Sequence, residues 1–259
     1  MAKKIRFKTT SLGSEPDQPD IQELTGFIRV MKGKEADLIS YYLTRSLKLQ
    51  VDTRITSPAG GGVFMQARFE EALGCSSEGC HVNTSVFEAD AQVMTKTAGL
   101  VRSILPSPGL LPGCPDLDDE EASADFCEVY AKVLRSMRDK NIAGHILHAK
   151  EVSPIEAELL SSQKTFFVIP DGSLRSQADL LEFQSTIALT CNRVQFLDEL
   201  VDQYDIRTLI LVDPDEDGFK KALEHLDPDR IQVGGYGTGS EGQYWSRIAE
   251  GATTTIPSD

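Results

Sequence analysis

Aspartate residues follow two short apolar stretches in the second half of the chain. Asp213 and Asp215 come directly after TLILV (208–212), and Asp171 follows TFFVIP (165–170). Carboxylate oxygens are the ligands that Mg²⁺ prefers, and a bound metal ion can support phosphoryl transfer. The pattern predicts a magnesium site in which Asp171, Asp213 and Asp215 are catalytic. The metal ligands would be Asp213, Asp215 and Asp217.

Glycines follow a third apolar stretch, RIQVGG (230–235). Gly235, Gly237 and Gly239 would let backbone N–H groups approach a phosphate. Gly237, Gly239 and Gly242 also spell G-x-G-x-x-G, but only 17 residues follow Gly242. Because a dinucleotide site needs a helix, a strand and an acidic residue after these glycines, we expect that this stretch is not one. The stretch fits either an anion-binding loop or a turn before a short helix.

The segment from Asp213 to Glu224 fits two other interpretations. Its spacing matches the calcium-loop pattern D-x-[DN]-x-[DN]-G-x5-E, although a strand precedes it and Pro214 lies inside it, unlike in a helix–loop–helix site. Alternatively, Asp215 or Asp217 caps the helix that follows, because a carboxylate accepts the free N–H groups of a first turn.

The apolar strand, the sequence D-P-D-x-x-G and the amphipathic helix after it resemble the metal-binding strand of the Toprim domain. The resemblance covers the stretch from Leu209 to Glu224. Toprim domains occur in topoisomerases, primase-type enzymes and some small nucleases. The resemblance implies that Asp213 and Asp215 bind Mg²⁺ for phosphoryl transfer. The family also has a glutamate after an earlier strand, where this chain has Asp171.

The cysteines suggest a competing site. Cys75 and Cys80 are close in sequence, and Cys114 and Cys127 could complete a set of four thiolates. Such a set could hold Zn²⁺ or an iron–sulfur cluster. The alternative is that these are buried free thiols, which behave as small hydrophobic side chains. Cys191 is expected in the core.

His145 and His148 are expected on a strand, because Gly144 precedes HILH (145–148). Residues three apart on a strand face opposite sides, so the two imidazoles would not share a ligand. We therefore predict that both are structural.

Apolar strands alternate with helical periodicity in the second half of the chain. Strands are predicted at 27–31, 165–170, 208–212 and 230–235, and helices at 34–48, from 122, from Pro154, at 174–204 and at 218–226. Such an order predicts an α/β fold. We expect a three-layer C-terminal domain with a mainly parallel sheet, after a smaller α+β N-terminal region. The boundaries are a flexible leader (1–20), the α+β region (21–105), a linker (106–121) and the α/β domain (122–259).

Composition narrows the function classes. The 259 residues carry a net charge of -14, which disfavours nucleic acid as a partner because binding depends on Lys and Arg at phosphates. There is no apolar run long enough to span a membrane and no secretory signal. Five cysteines do not suggest a disulfide scaffold. We expect a cytoplasmic protein.

The carboxyl ends of parallel strands emerge at one edge of a sheet, so the aspartates and glycines would meet there. We therefore predict divalent-cation-dependent binding or processing of a phosphorylated or nucleotide ligand, with Mg-dependent phosphoryl-transfer or phosphodiester chemistry as the possible reaction. The alternative is a non-catalytic zinc or iron–sulfur protein, or a complex subunit, that uses Cys75, Cys80, Cys114 and Cys127.

Overall fold

The computed structural model describes residues 3–31, 36–76, 79–115 and 119–256. The strands, in chain order, are β1 (Lys3–Arg6), β2 (Lys8–Pro16), β3 (Ala59–Gly61), β4 (Leu73–Ser76), β5 (Gly79–Val82), β6 (Arg102–Pro106), β7 (His145–His148), β8 (Thr165–Val168), β9 (Thr186–Thr190), β10 (Thr208–Val212), β11 (Ile231–Gly239) and β12 (Thr253–Ile256). The helices are α1 (Ile21–Met31), α2 (Leu38–Asp52), α3 (Gln66–Ala72), α4 (Ser85–Ala98), α5 (Glu120–Asp139), α6 (Pro154–Leu160), α7 (Leu174–Leu181), α8 (Leu197–Gln203), α9 (Glu216–His225) and α10 (Glu241–Gly251).

Within the described residues, eight parallel strands form two hydrogen-bonded groups, β2-β11-β10-β9 and β3-β6-β7-β8. A parallel bridge between Thr10 and Ser57 joins β2 to the residues before β3. At the other junction, the N–H of Thr190 donates to the carbonyl of Pro170. The strands therefore close into a (β/α)8 barrel surrounded by helices.

Two glutamine side chains satisfy backbone groups where the two strand groups meet. The amide of Gln184 bonds to both the N–H and the carbonyl of Phe167 beside β9, at 2.8 and 2.9 Å, and its nitrogen also donates to the carbonyl of Thr186. The amide of Gln50 makes the same pair of bonds to Ala59 in β3, at 2.9 and 3.0 Å. Buried backbone groups need such partners, so these amides replace missing sheet bonds.

Alternating side chains fill the barrel and its outer layer. Ile104 and Ile146 point into the barrel, whereas their neighbours Leu105 and Leu147 pack outward against helices. The barrel interior holds Leu12, Ala59, Ile104, Ile146, Phe166, Val168, Ala188, Ile210 and Val212. Two further apolar clusters lie between strands and helices, one around Phe69 and Phe167 and the other around Trp245. The sequences of the strands are continuous apolar runs because both faces of each strand are buried.

The prediction of an α/β fold with mainly parallel strands is confirmed. The strands predicted at 165–170, 208–212 and 230–235 correspond to β8, β10 and β11, which are parallel, with β9 between β8 and β10. The strands form a closed barrel, so the helices make one outer ring. Strand β2, within the predicted leader, pairs with β11, and strands from both sides of residues 106–121 belong to the same barrel.

Two predicted elements are wrong. Residues 27–31 belong to α1, because Leu24, Phe27 and Met31 lie on one half-buried helical face and Phe27 packs against Tyr41. The long helix predicted at 174–204 is α7, β9 and α8. Apolar residues continue at helical spacing through β9. The sequence pattern therefore did not distinguish this buried strand from the helices on either side of it.

The helix predicted from Pro154 begins at that residue, and a capping box precedes it. The Ser153 hydroxyl accepts the N–H of Glu156, whose side chain accepts the N–H of Ser153. Among the described residues, no helix combines the length and apolar character needed to cross a membrane.

Candidate active site at the mouth of the barrel

The carboxyl ends of the eight strands converge on one end of the barrel, which we call the mouth. In (β/α)8 enzymes the active site lies at this end, on side chains from several strands. The residues at the mouth therefore decide what chemistry the chain could perform.

His148, at the end of β7, lies at the mouth above Ile146. Its Nε2 is 2.5 Å from the carbonyl oxygen of Leu12. Because a carbonyl can only accept, Nε2 carries the proton and Nδ1 keeps a lone pair. No described residue hydrogen-bonds to Nδ1, and this atom is not among the buried polar atoms that lack a partner. Burial lowers the pKa of His148, so the imidazole is neutral at pH 7 and Nδ1 keeps its lone pair.

Tyr236, on β11, packs edge-on against His148 with ring centroids 5.3 Å apart. Its hydroxyl donates to the carbonyl of Ser14 at 3.1 Å and accepts the N–H of Val63 at 3.0 Å. Burial, together with Glu15 and Glu241, raises the pKa of Tyr236 to about 12. The phenol therefore stays protonated at neutral pH and is fixed beside the imidazole.

Glycines make room for this tyrosine. A Cβ on Gly13 would lie 2.8 Å from the Tyr236 ring, and one on Gly62 would lie 2.7 Å from its hydroxyl. Gly62 also has a φ of 157°, which disfavours other residues. Part of the glycine-rich stretch SPAGGG (57–62) thus shapes one wall of the mouth.

The three aspartates predicted as catalytic lie after β8 and β10. Asp171 is exposed, and its Oδ1 accepts the Thr190 hydroxyl at 3.0 Å. Asp213 has a φ of 46° and binds two residues of α10: Arg247 at 2.7 Å and the Tyr244 hydroxyl at 3.0 Å. A catalytic role for Asp171 or Asp213 stays a prediction.

Asp215 and Asp217 belong to the start of α9. The Oδ1 of Asp215 accepts the N–H of Gly218 at 2.8 Å, and this bond lowers the pKa of Asp215. Asp217 is exposed and lies 3.5 Å from Lys220. Asp215 is therefore a helix cap, as one interpretation of the sequence had it.

The predicted magnesium site is wrong. The oxygens of Asp213 and Asp215 are directed to different partners, and among the described residues no group of three or more His, Cys, Asp or Glu side chains is placed to share a metal ion. The sequence could not reveal this, because Arg247 and Tyr244 reach Asp213 from a helix about 30 residues later.

The predicted phosphate-binding glycines belong to β11, and two of them face α10. A Cβ on Gly235 would collide with the Tyr244 hydroxyl, and one on Gly237 would lie 3.0 Å from the Trp245 ring. These two glycines let α10 pack closely on the strand. Gly239 has a φ of 63° and open space around it, as in a turn.

The predicted four-cysteine metal site is also corrected. Cys75 and Cys80 are joined by a disulfide bond across the β4–β5 hairpin. Both sulfur atoms are therefore bonded to each other instead of being available as thiolate ligands. Cys114 and Cys127 are free thiols, and Cys191 is a partly buried free thiol near Asp213 and Asp215.

The expectation of a strand at 145–148 is confirmed, and its two histidines face opposite sides of the strand. His145 faces outward, where its Nδ1 meets the Ser103 hydroxyl at 2.7 Å, whereas His148 faces the mouth. Side chains alternate between the two faces of a strand, so one of the two histidines had to face the inside of the barrel. The sequence does not identify which one, because that depends on how the barrel closes.

A cavity of about 600 Å³ lies between α6 and α7, outside the barrel. Its polar lining includes Glu151, Arg175 and Asp179, all exposed. Of these two places we favour the mouth as the site, since it combines a neutral imidazole of fixed tautomer with side chains from several strands.

No protein-family model and no curated protein matches the chain. Solved structures do match. A B12-independent methionine synthase from Shewanella sp. W3-18-1, solved with selenomethionine, is 13% identical, with 96% of each chain covered and a TM-score of 0.65. A homocysteine methyltransferase from Escherichia coli is 9% identical, again with 96% of each chain covered, and has a TM-score of 0.52.

These likenesses overturn the Toprim resemblance, which rested on one strand and one helix. The predicted magnesium-dependent processing of a nucleotide or phosphorylated ligand is wrong because no described group of three or more His, Cys, Asp or Glu side chains is placed to share a metal ion. The alternative metal protein built on cysteines is wrong because Cys75 and Cys80 are bonded to each other. At such low identities the matches show the fold alone: the chain has the (β/α)8 barrel fold over nearly its whole length.

Proposed function

We propose that this protein is an enzyme that binds a small sulfur-containing amino acid at the mouth of the barrel. The place of the site is supported by His148, which has a fixed tautomer, an Nδ1 to which no described residue hydrogen-bonds, and Tyr236 against its ring. The substrate class is supported by likeness to a methionine synthase solved with selenomethionine and to a homocysteine methyltransferase.

The proposed reaction is methyl transfer to a thiol. A thiol is a weak nucleophile until it loses its proton, so a nearby base accelerates its attack. In our proposal Nδ1 of His148 accepts the thiol proton while a carbon–sulfur bond forms and the bond between the methyl group and its donor breaks. Tyr236 holds the imidazole in place and closes one side of the site. We also propose that the protein acts in the cytoplasm.

Calorimetric titration with L-homocysteine and L-methionine tests this proposal. We expect His148→Gln to weaken binding about tenfold or more, because a lost polar contact is worth about 1.4 kcal/mol or more. The glutamine amide can still donate to Leu12 but cannot replace the basic ring nitrogen. Tyr236→Phe should also weaken binding, since it releases the carbonyl of Ser14 and the N–H of Val63.

Tyr204→Phe is the matched control, because it also removes a tyrosine hydroxyl that makes a hydrogen bond. That hydroxyl donates to the exposed Glu182, and both residues are distant in sequence from His148 and Tyr236. The proposal fails if neither amino acid binds to the folded protein. It also fails if both mouth variants bind as tightly as the Tyr204 control.

A further inference from the structure

A disulfide closes the short β4–β5 hairpin. Cys75 and Cys80 are directly opposite each other in the antiparallel register and are bonded. Cys75 is exposed to solvent, whereas Cys80 is half-buried and packs against the apolar cluster around Phe69. One sulfur of this bond is therefore accessible to attack.

A free thiol from another part of the chain lies at this corner. A Cβ on Gly113 would lie 3.8 Å from the Sγ of Cys75, so the chain beside Cys114 passes close to the exposed sulfur. Gly113 has a φ of 83°, and this left-handed turn sets the direction of the chain at Cys114. Cys114 and Cys80 pack against the same cluster, which also contains the buried thiol of Cys127.

We propose that this corner is a site of intramolecular thiol–disulfide exchange, in which Cys114 attacks the sulfur of Cys75. A bond forms between the sulfurs of Cys75 and Cys114, and the Cys75–Cys80 bond breaks. Cys80 leaves as a thiolate and takes up the proton that Cys114 released to water. The step needs no oxidant or reductant, because one disulfide and one thiol are present before and after it.

The environment of Cys114 sets the rate. Burial and the charge of Glu156 on α6 raise the pKa of Cys114 to about 11, and Cys127 on α5 is the other titratable group beside it. Only the thiolate attacks, so the exchange is slow at neutral pH and should accelerate about tenfold per pH unit below that pKa. Cys127 is almost fully buried and its pKa is raised to about 12, which makes it the poorer nucleophile.

Peptide mapping of the unmodified protein tests the exchange. Dilute protein is incubated without added thiol at pH 7, 8 and 9, quenched with acid, alkylated with N-ethylmaleimide and digested with trypsin. Cys75 and Cys80 lie on the tryptic peptide 69–96, and Cys114 and Cys127 lie on 103–132. We expect these two peptides to become disulfide-linked, at a rate about tenfold higher for each pH unit. Fragmentation should place the link at Cys75 and Cys114.

Cys191, on the tryptic peptide 176–193, is an internal control for nonspecific scrambling. It should remain a free thiol that N-ethylmaleimide modifies. The proposal is overturned if peptides 69–96 and 103–132 never become linked, if the link involves Cys127, or if Cys191 enters disulfides at the same rate. Its outcome is independent of amino-acid binding at the mouth, which uses none of these cysteines.

Discussion

At the scale of residues, local chemistry was predictable and long-range partners were not. An aspartate after a strand and before an amphipathic helix is a common cap, and Asp215 is one. Asp213 stands two residues earlier with the same side chain, yet its carboxylate binds Arg247 and Tyr244. A spacing pattern gives both aspartates the same role because it contains no information on which helix packs beside them.

His145 gives a prediction about pH. Burial lowers the pKa of His145 to about 3, against 6.5 in an unfolded chain. Between these values the unfolded chain binds a proton that the folded protein does not, so stability falls as the pH falls from 6.5 toward 3. The loss of stability between pH 7 and pH 4.5 should be about 3 kcal/mol smaller in His145→Asn than in the parent protein. Each pH unit over which only the unfolded chain is protonated is worth about 1.4 kcal/mol.

Urea unfolding at pH 4.5, 5.5 and 7 measures this difference. The exposed His81 offers a control, and His81→Asn should keep the pH dependence of the parent protein. Equal slopes for the parent and His145→Asn would show that His145 is not the group that resists protonation.

At the scale of elements, strong local signals gave correct predictions. The amphipathic helix α5 buries Phe126, Val133 and Met137, as the spacing of these apolar residues indicates. Ser153 caps the first turn of α6. Strand β3 is only Ala-Gly-Gly, a sequence with little preference for strands, and exists because β6 and Gln50 bind its backbone. Such an element depends on partners distant in sequence, and no local pattern could have predicted it.

The glutamine between β8 and β9 gives a prediction about stability. Gln184→Leu should keep the volume but leave the N–H and carbonyl of Phe167 and the carbonyl of Thr186 without these partners. We expect a loss of at least about 3 kcal/mol in the free energy of unfolding, because three groups lose a partner and each unsatisfied buried group costs about 1–3 kcal/mol.

Chemical denaturation checks the value, with Gln203→Leu on the exposed side of α8 as the matched control. The control should change stability by less than about 0.5 kcal/mol. If Gln184→Leu is equally mild, the amide does not hold the two strands together and our account of barrel closure is incorrect.

At the scale of the whole molecule, the alternation of apolar strands and helices predicted the fold class. Closure of the barrel could not be predicted from the sequence, because it depends on β2 pairing with β11 from the opposite end of the chain. Closure also changes which residues lie next to each other. In an open sheet the aspartates after β8 and β10 would share one edge, whereas in the barrel His148 and Tyr236 meet at the mouth. The metal site predicted from the sequence therefore lay at the end of the strands where we propose the active site, but its carboxylates are not placed to share a metal ion.

The central claim is that the mouth of the barrel binds a small sulfur-containing amino acid. A crystal soaked with L-selenomethionine tests it most directly, because anomalous scattering locates selenium without reference to any model of the ligand. Crystals should be grown from protein with ordinary methionine, so that the ligand is the sole source of selenium. Our account predicts one anomalous peak at the mouth, beside His148 and Tyr236, and a lower selenium occupancy there in His148→Gln crystals soaked at a limiting ligand concentration. A peak confined to the cavity between α6 and α7, or no peak in well-diffracting crystals at saturating ligand, would contradict it.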